Sequence, residues 1–214
     1  MGAIPTQHFG PGISADEALQ RLVDGNRRFL RGEARFSTMQ KELLADLAQG
    51  QQPYATILGC SDSRVPPELI FDAGLGELFV VRVAGNVLSP EIAGSLQYAG
   101  SCLHTPLFVV LGHEGCGAVK AALASRYQDV EHRAHIQILV DNILQGLPDI
   151  DPLLPIEVQV AQAVESNVRW TLRQIAESPE GRARLSEGRV KLVGAVYEIQ
   201  SGRVKFLDCA ECVV

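Results

Sequence analysis

"YATILGCSDSRV", Tyr54 to Val65, runs from an apolar stretch rich in branched residues straight into Cys60, Asp62 and Arg64. The apolar part is short and bounded, which predicts a buried strand, and the polar part then falls in the loop beyond its carboxyl end. "ELFVVRVA" (77–84) and "PLFVVLG" (106–112) have the same character, and helical or loop segments separate the three. Glu91 to Leu103 and Gly117 to Ser125 read as helices. This alternation predicts an α/β fold with a mostly parallel central β-sheet flanked by helices.

The rest of the chain follows from that centre. Upstream, Ser14 and Glu17 form a capping box for an amphipathic helix carrying Leu19, Leu22, Val23, Phe29 and Leu30, with the basic "GNRRFLRGE" as its exposed end. A second helix is expected from about Thr38 to Gln49, stopped by Gly50. Downstream, helices are expected over about Arg133 to Leu147 and Ile156 to Glu177, joined by the connector "PDIDPLLP". "VKLVGAVYEI", a tight "QSG" turn and "RVKFL" read as a strand and its return. We expect one domain over residues 1–214, with an N-terminal helical arm at about 14–50 and a C-terminal tail at about 208–214.

A hydrophobic content of 46% supports one sizeable core, and a net charge of −6 with interspersed acids and bases argues against a nucleic-acid surface. No apolar run approaches the roughly 18 to 20 residues that span a bilayer. The first ten residues lack the regions of a signal peptide, so a cytoplasmic protein without membrane association is expected. Cys60, Cys102, Cys116, Cys209 and Cys212 are an odd, irregularly spaced set, better suited to metal binding or catalysis than to a disulfide framework.

In a parallel sheet the loops beyond the carboxyl ends of strands share one edge, where ligand sites gather. Cys60 after the first strand can therefore meet "HEGC", His113 to Cys116, after the third. Two thiolates and an imidazole suit zinc, and three protein ligands leave a fourth position for water, as in catalytic zinc sites. Such an ion would lower the pKa of that water toward neutrality. Cys102 reads as core packing, and Cys209 with Cys212 as a mobile tail. His8, His104, His132 and His135 have no partner at ligand spacing, and His132 and His135 read as a solvated face. Asp62 and Arg64, two apart in an extended loop, can form a bidentate pair that either is a plain salt bridge or keeps the carboxylate off the metal.

With "CSDSR" and "HEGCG" supported by "GNRRF", "GELFVVRVAGNV" and "GSLQYA", the chain resembles the β-class carbonic anhydrases, closely over about 16–125 and loosely beyond. That resemblance implies one zinc ion per subunit on Cys60, His113 and Cys116, with Asp62 and Arg64 as a catalytic dyad. It implies a Gly117 amide beside the substrate pocket and, by likeness to the plant-like subgroup, a carbon dioxide pocket lined by Gln51, Phe79 and Tyr98. Reversible hydration of carbon dioxide to bicarbonate follows, in a dimer that shares pocket residues across its interface, with tetramers and octamers open. Two alternatives stand beside it: a carbonyl sulfide or carbon disulfide hydrolase on the same fold, and a non-enzymatic zinc or bicarbonate sensor. A redox protein pairing Cys60 with Cys116 is a third.

Overall fold

The computed structural model describes residues 12–35 and 47–207. Most of the expected second helix, together with His8, Cys209, Cys212 and the tail, lies outside the described residues.

Helix α1 is Ala15–Arg31, opened by the expected reciprocal capping box between Ser14 and Glu17 and closed by Gly32 in the left-handed region. Strands β1 (Ala55–Gly59), β2 (Leu78–Arg82) and β3 (Leu107–His113) coincide with the three apolar runs, followed by β4 (Lys191–Tyr197) and β5 (Val204–Leu207). The strand order is β2-β1-β3-β4-β5, parallel throughout except for the antiparallel β4–β5 hairpin. Every residue of β1 and of β3 is buried, which is why both read as continuous apolar runs rather than as alternations.

The helices after α1 are α2 (Pro67–Ile70), α3 (Pro90–Ser101), α4 (Gly117–Gln128), α5 (Ala134–Gly146), α6 (Ile156–Glu177) and α7 (Pro179–Ser186), with a 3-10 turn at Ala84–Asn86. The short α2 and α7 and the 3-10 turn add to the expected set. One face of the sheet packs Ile57, Val109 and Ala195 against Ala18 and Leu22 of α1 and against Phe71. The other packs Leu58, Val110 and Leu192 against Leu96 of α3 and Val168 and Leu172 of α6. The register β1–β3 sets Gly59 beside Leu111, so Cys60 and His113 leave their strands at the same edge.

Three sequence expectations change. Cys102 is a half-buried C-cap of α3, because the helix ends one residue before it, and is not a core thiol. The "GNRRFLRGE" segment is not simply exposed: Asn26 is buried, and Arg28 reaches back to the nearly buried Asp72. His132 is half-buried, with Nε2 3.4 Å from the Ala121 carbonyl, whereas His135 is exposed as expected.

Candidate metal centre

Three segments converge at the carboxyl edge of the sheet: the loop after β1, the turn after β2, and the His113–Cys116 link from β3 to α4. Cys60, His113 and Cys116 are all buried, and their ligand atoms lie within 4.8 Å of one another. The two Sγ atoms are 4.0 Å apart. Zinc–sulfur bonds of about 2.3 Å at a tetrahedral angle need about 3.8 Å, so the sulfurs already stand near the required spacing.

His113 supplies the clearest test of whether a metal fits. Its Nδ1 lies 3.0 Å from the Glu114 carbonyl oxygen, which can only accept, so Nδ1 carries the proton and Nε2 keeps its lone pair. Nε2 is buried without a hydrogen-bond partner among the described residues, and the nearest Asp62 oxygen is 3.8 Å away. A buried, partnerless acceptor beside two thiols has the donor set and the unmet bonding that zinc requires.

Cys116 is the N-cap residue of α4 and makes no side-chain capping bond, while the nearby Val119 and Ala118 amides favour its charged form. The contact between the two sulfurs lowers Cys60 below an ordinary thiol, while that same contact and burial push Cys116 up. The two sulfurs are close enough to share a hydrogen bond, and either can be its donor.

Asp62 and Arg64 form the expected fork: Nε donates to Oδ1 at 2.9 Å and Nη2 to Oδ2 at 2.8 Å, with the Arg64 amide adding a third bond at 3.0 Å. Arg64 holds the Asp62 carboxyl well below the usual carboxylate range. Arg82, the last residue of β2, donates to the Cys60 carbonyl at 3.0 Å and the Asp62 carbonyl at 2.6 Å, a role its sequence neighbourhood does not announce.

The four expected pocket residues do not gather together at this edge. Gly117 stands there, as the first residue of α4, and a Cβ on it would meet nothing within 4 Å. Phe79 pairs with Thr56 well down the sheet, and its ring stands 6.1 Å from that of the exposed Tyr98. Gln51 is exposed and precedes the amino end of β1. At about 3.3 Å per residue, β1 alone sets it roughly 16 Å or more from Cys60 along the strand direction.

The family profile described as "Carbonic anhydrase" matches residues 55–204. Carbonic anhydrase 2 of Mycobacterium tuberculosis (strain CDC 1551 / Oshkosh) is 36% identical over 200 residues, covering 92% of this chain and 95% of its own length. The solved structure of the β-carbonic anhydrase CcaA is similar at a TM-score of 0.69 and 28% identity, over 90% of this chain and 88% of that one. A structure from two tetrameric β-carbonic anhydrases of Sordaria macrospora reaches a TM-score of 0.70 at 23% identity, over 90% of this chain and 98% of that one, a likeness of fold.

Proposed function

We propose, on the premise that this chain belongs to the β-class carbonic anhydrase family, that it catalyses zinc-dependent, reversible hydration of carbon dioxide to bicarbonate and a proton. The observation that carries the reading is the buried sulfur–nitrogen–sulfur triangle of Cys60, His113 and Cys116 with the Asp62–Arg64 fork at its side. When bound, one zinc ion per subunit would supply the Lewis acidity that makes water nucleophilic toward the substrate carbon.

The chain's own residues do the positioning. Cys60 and Cys116 would hold the metal as thiolates, and His113 would offer Nε2 because its other nitrogen is tied to the Glu114 carbonyl. Asp62 stays ionised and serves as a fixed hydrogen-bond acceptor at the mouth of the triangle, orienting the attacking water. Arg64 holds both carboxylate oxygens, which opposes rotation of Asp62 into a fourth ligand position. Arg82 fixes the two carbonyls on either side of Ser61 and so the direction of the Cys60 and Asp62 side chains.

For the carbon dioxide pocket we propose Gln51, Phe79, Tyr98 and Gly117, with the first three serving a partner subunit's centre. The separation of Gln51 from Cys60 along β1, the place of Phe79 well down the sheet, and the exposure of Gln51 and Tyr98 support that reading. The unit is then a homodimer, able to build tetramers. Among the described residues no helix is long and apolar enough to cross a membrane. Cys60, Cys102 and Cys116 are all free, in keeping with the cytoplasm. We take 1–214 as one domain with its helical arm at about 14–50.

Metal analysis paired with a stopped-flow hydration assay tests the whole reading. We expect one zinc per chain and rapid hydration. Stoichiometric zinc with no hydration at any pH would favour the sensor, and turnover of carbonyl sulfide alone would favour the hydrolase.

A further inference from the structure

Helix α6 lies unusually close to the sheet, because a Cβ at Gly112 would come 2.6 Å from Val168 Cγ2 and one at Gly194 2.8 Å from Leu172 Cδ1. That approach carries two fully buried polar residues of α6, Asn167 and Thr171, to the turn at Ala84–Asn86. Asn167 Nδ2 donates to the Gly85 carbonyl at 2.8 Å, and Thr171 Oγ1 to the Asn86 carbonyl at 3.2 Å. From α5, Asn142 Nδ2 donates to the Leu88 carbonyl at 2.8 Å.

The pinned turn is the one that faces the metal centre. Gly85 has φ +71°, and a Cβ there would stand 2.9 Å from Ile143 Cδ1, so the turn takes this shape only with glycine. Glycine sets no conformation of its own, and Asn86 beside it sits at φ 45°, a region costly for a residue with a side chain. Something outside the turn must hold both. The held shape aims the Gly85 amide at Cys60 Sγ, 3.4 Å away.

We propose that Asn167 is a positioning residue that fixes the Gly85 amide against the Cys60 sulfur. The inference rests on the reading that Cys60, His113 and Cys116 hold zinc. An N–H bond to a thiolate draws electron density from the sulfur and fixes its lone pairs, and burial strengthens the bond. Without the Asn167 donor, the Gly85 carbonyl loses its partner in a dry site and the glycine is free to turn the amide away.

The experiment is cobalt(II) titration of the metal-free protein, followed by the near-ultraviolet thiolate-to-cobalt charge-transfer band, for wild type, Asn167→Leu, Asn167→Ser and Asn26→Leu. Asn26→Leu removes a similar buried asparagine on the far face of the sheet. Asn167→Leu should weaken cobalt binding about tenfold, because the Cys60 sulfur is no longer held in place, and move the band to longer wavelength, because a sulfur without its N–H bond gives up charge more easily. Asn167→Ser, which leaves room for a water at the Gly85 carbonyl, should fall between it and wild type and decides the matter if the leucine variant does not fold. Asn26→Leu should melt earlier with band and affinity unchanged. A wild-type band and affinity in both Asn167 variants would overturn the proposal, as would an equal shift in Asn26→Leu, the mark of general loosening. A wild type that gives no thiolate–cobalt band at all would remove the zinc reading itself, a result distinct from an unaltered Asn167 variant.

Discussion

Asn26, on the α1 face of the sheet, uses both amide hydrogens and its carbonyl on backbone: Nδ2 donates to Ile70 and Gly202 carbonyls at 3.2 and 2.9 Å, and Oδ1 accepts from the Val204 amide at 3.0 Å. Asn167, on the opposite face, bonds Gly85 through Nδ2, while its Oδ1 has no partner among the described residues. The same holds nearby for Asn86 Nδ2, Asn142 Oδ1 and His113 Nε2. On the α1 face Asn26 is fully satisfied, whereas the α6 side keeps buried polar atoms without partners among the described residues, including the ligand atom His113 Nε2 and also Trp170 Nε1 and Gln174 Oε1 on α6 itself. Buried polar atoms without partners are rare because each costs about 1–3 kcal/mol, so an orphaned His113 Nε2 set beside two thiols marks a place where folding has yielded to function.

The widest break in that comparison comes from the ligands. Replacing Cys60, His113 or Cys116 by alanine should abolish zinc binding and reduce hydration by at least about a thousandfold, since three ligands leave no redundancy. Thermal stability of the metal-free protein should hardly change. Full zinc content and normal turnover after any one replacement would mean that the triangle is not the centre. The mirror experiment is Asn26→Leu on the α1 face, which strands two carbonyls and an amide. We expect about 3 kcal/mol of lost stability by urea unfolding, with zinc content intact. A loss of zinc at unchanged stability would erase the distinction between the faces.

The two faces also differed in how far they could be read from sequence. Parallel strands buried on both sides are plain apolar runs, so β1, β2 and β3 were legible, and ligands placed directly after strand ends came with them. The buried asparagines were not legible. Asn167 sits in a helix whose sequence shows only that a polar residue recurs on it. Its partner Gly85 is 82 residues away, and nothing local tells a pinning amide from a solvated one. Asp72 and Arg28 were hidden in the same way, 44 residues apart. For α7 a signal did exist, since Ser178 caps the helix and Pro179 opens it, but eight residues are too few to show a period. Gln51, Phe79 and Tyr98 came from family likeness, and nothing in their local sequence marks them as pocket residues.

Arg64→Ala sharpens the comparison from within the functional face. The fork to Asp62 is more than half exposed on its arginine side and contributes little to stability, so its removal should leave the melting temperature nearly unchanged. Turnover should drop about ten- to a hundredfold with zinc retained, because the freed Asp62 competes for the position water needs. Asp62→Asn, which keeps the shape and removes the charge, should also impair turnover without loss of metal. Wild-type rates in both would leave the fork a loop salt bridge.

The smallest effect tests the α1 face by pH. Asp72 is nearly buried, which alone would raise its pKa, but Arg28 together with the Arg35 amide and guanidinium outweighs burial and lowers it. A carboxyl whose folded pKa lies below its unfolded one binds protons more readily when the chain is unfolded, so its contribution is complete above the unfolded value of about 3.9 and disappears as pH falls through the folded value. Asp72→Asn keeps the size of the side chain but not its charge. It should therefore cost about 1.5 kcal/mol at pH 7, a modest figure because Arg35 is largely exposed and its share is screened. Paired urea titrations of variant and wild type should show the gap shrinking below about pH 4, as the wild-type carboxyl also takes up its proton. A gap that stays constant or widens in acid would mean that Asp72 gains nothing from its charge, and that α1 is held to α2 by Asn26 and apolar contact alone.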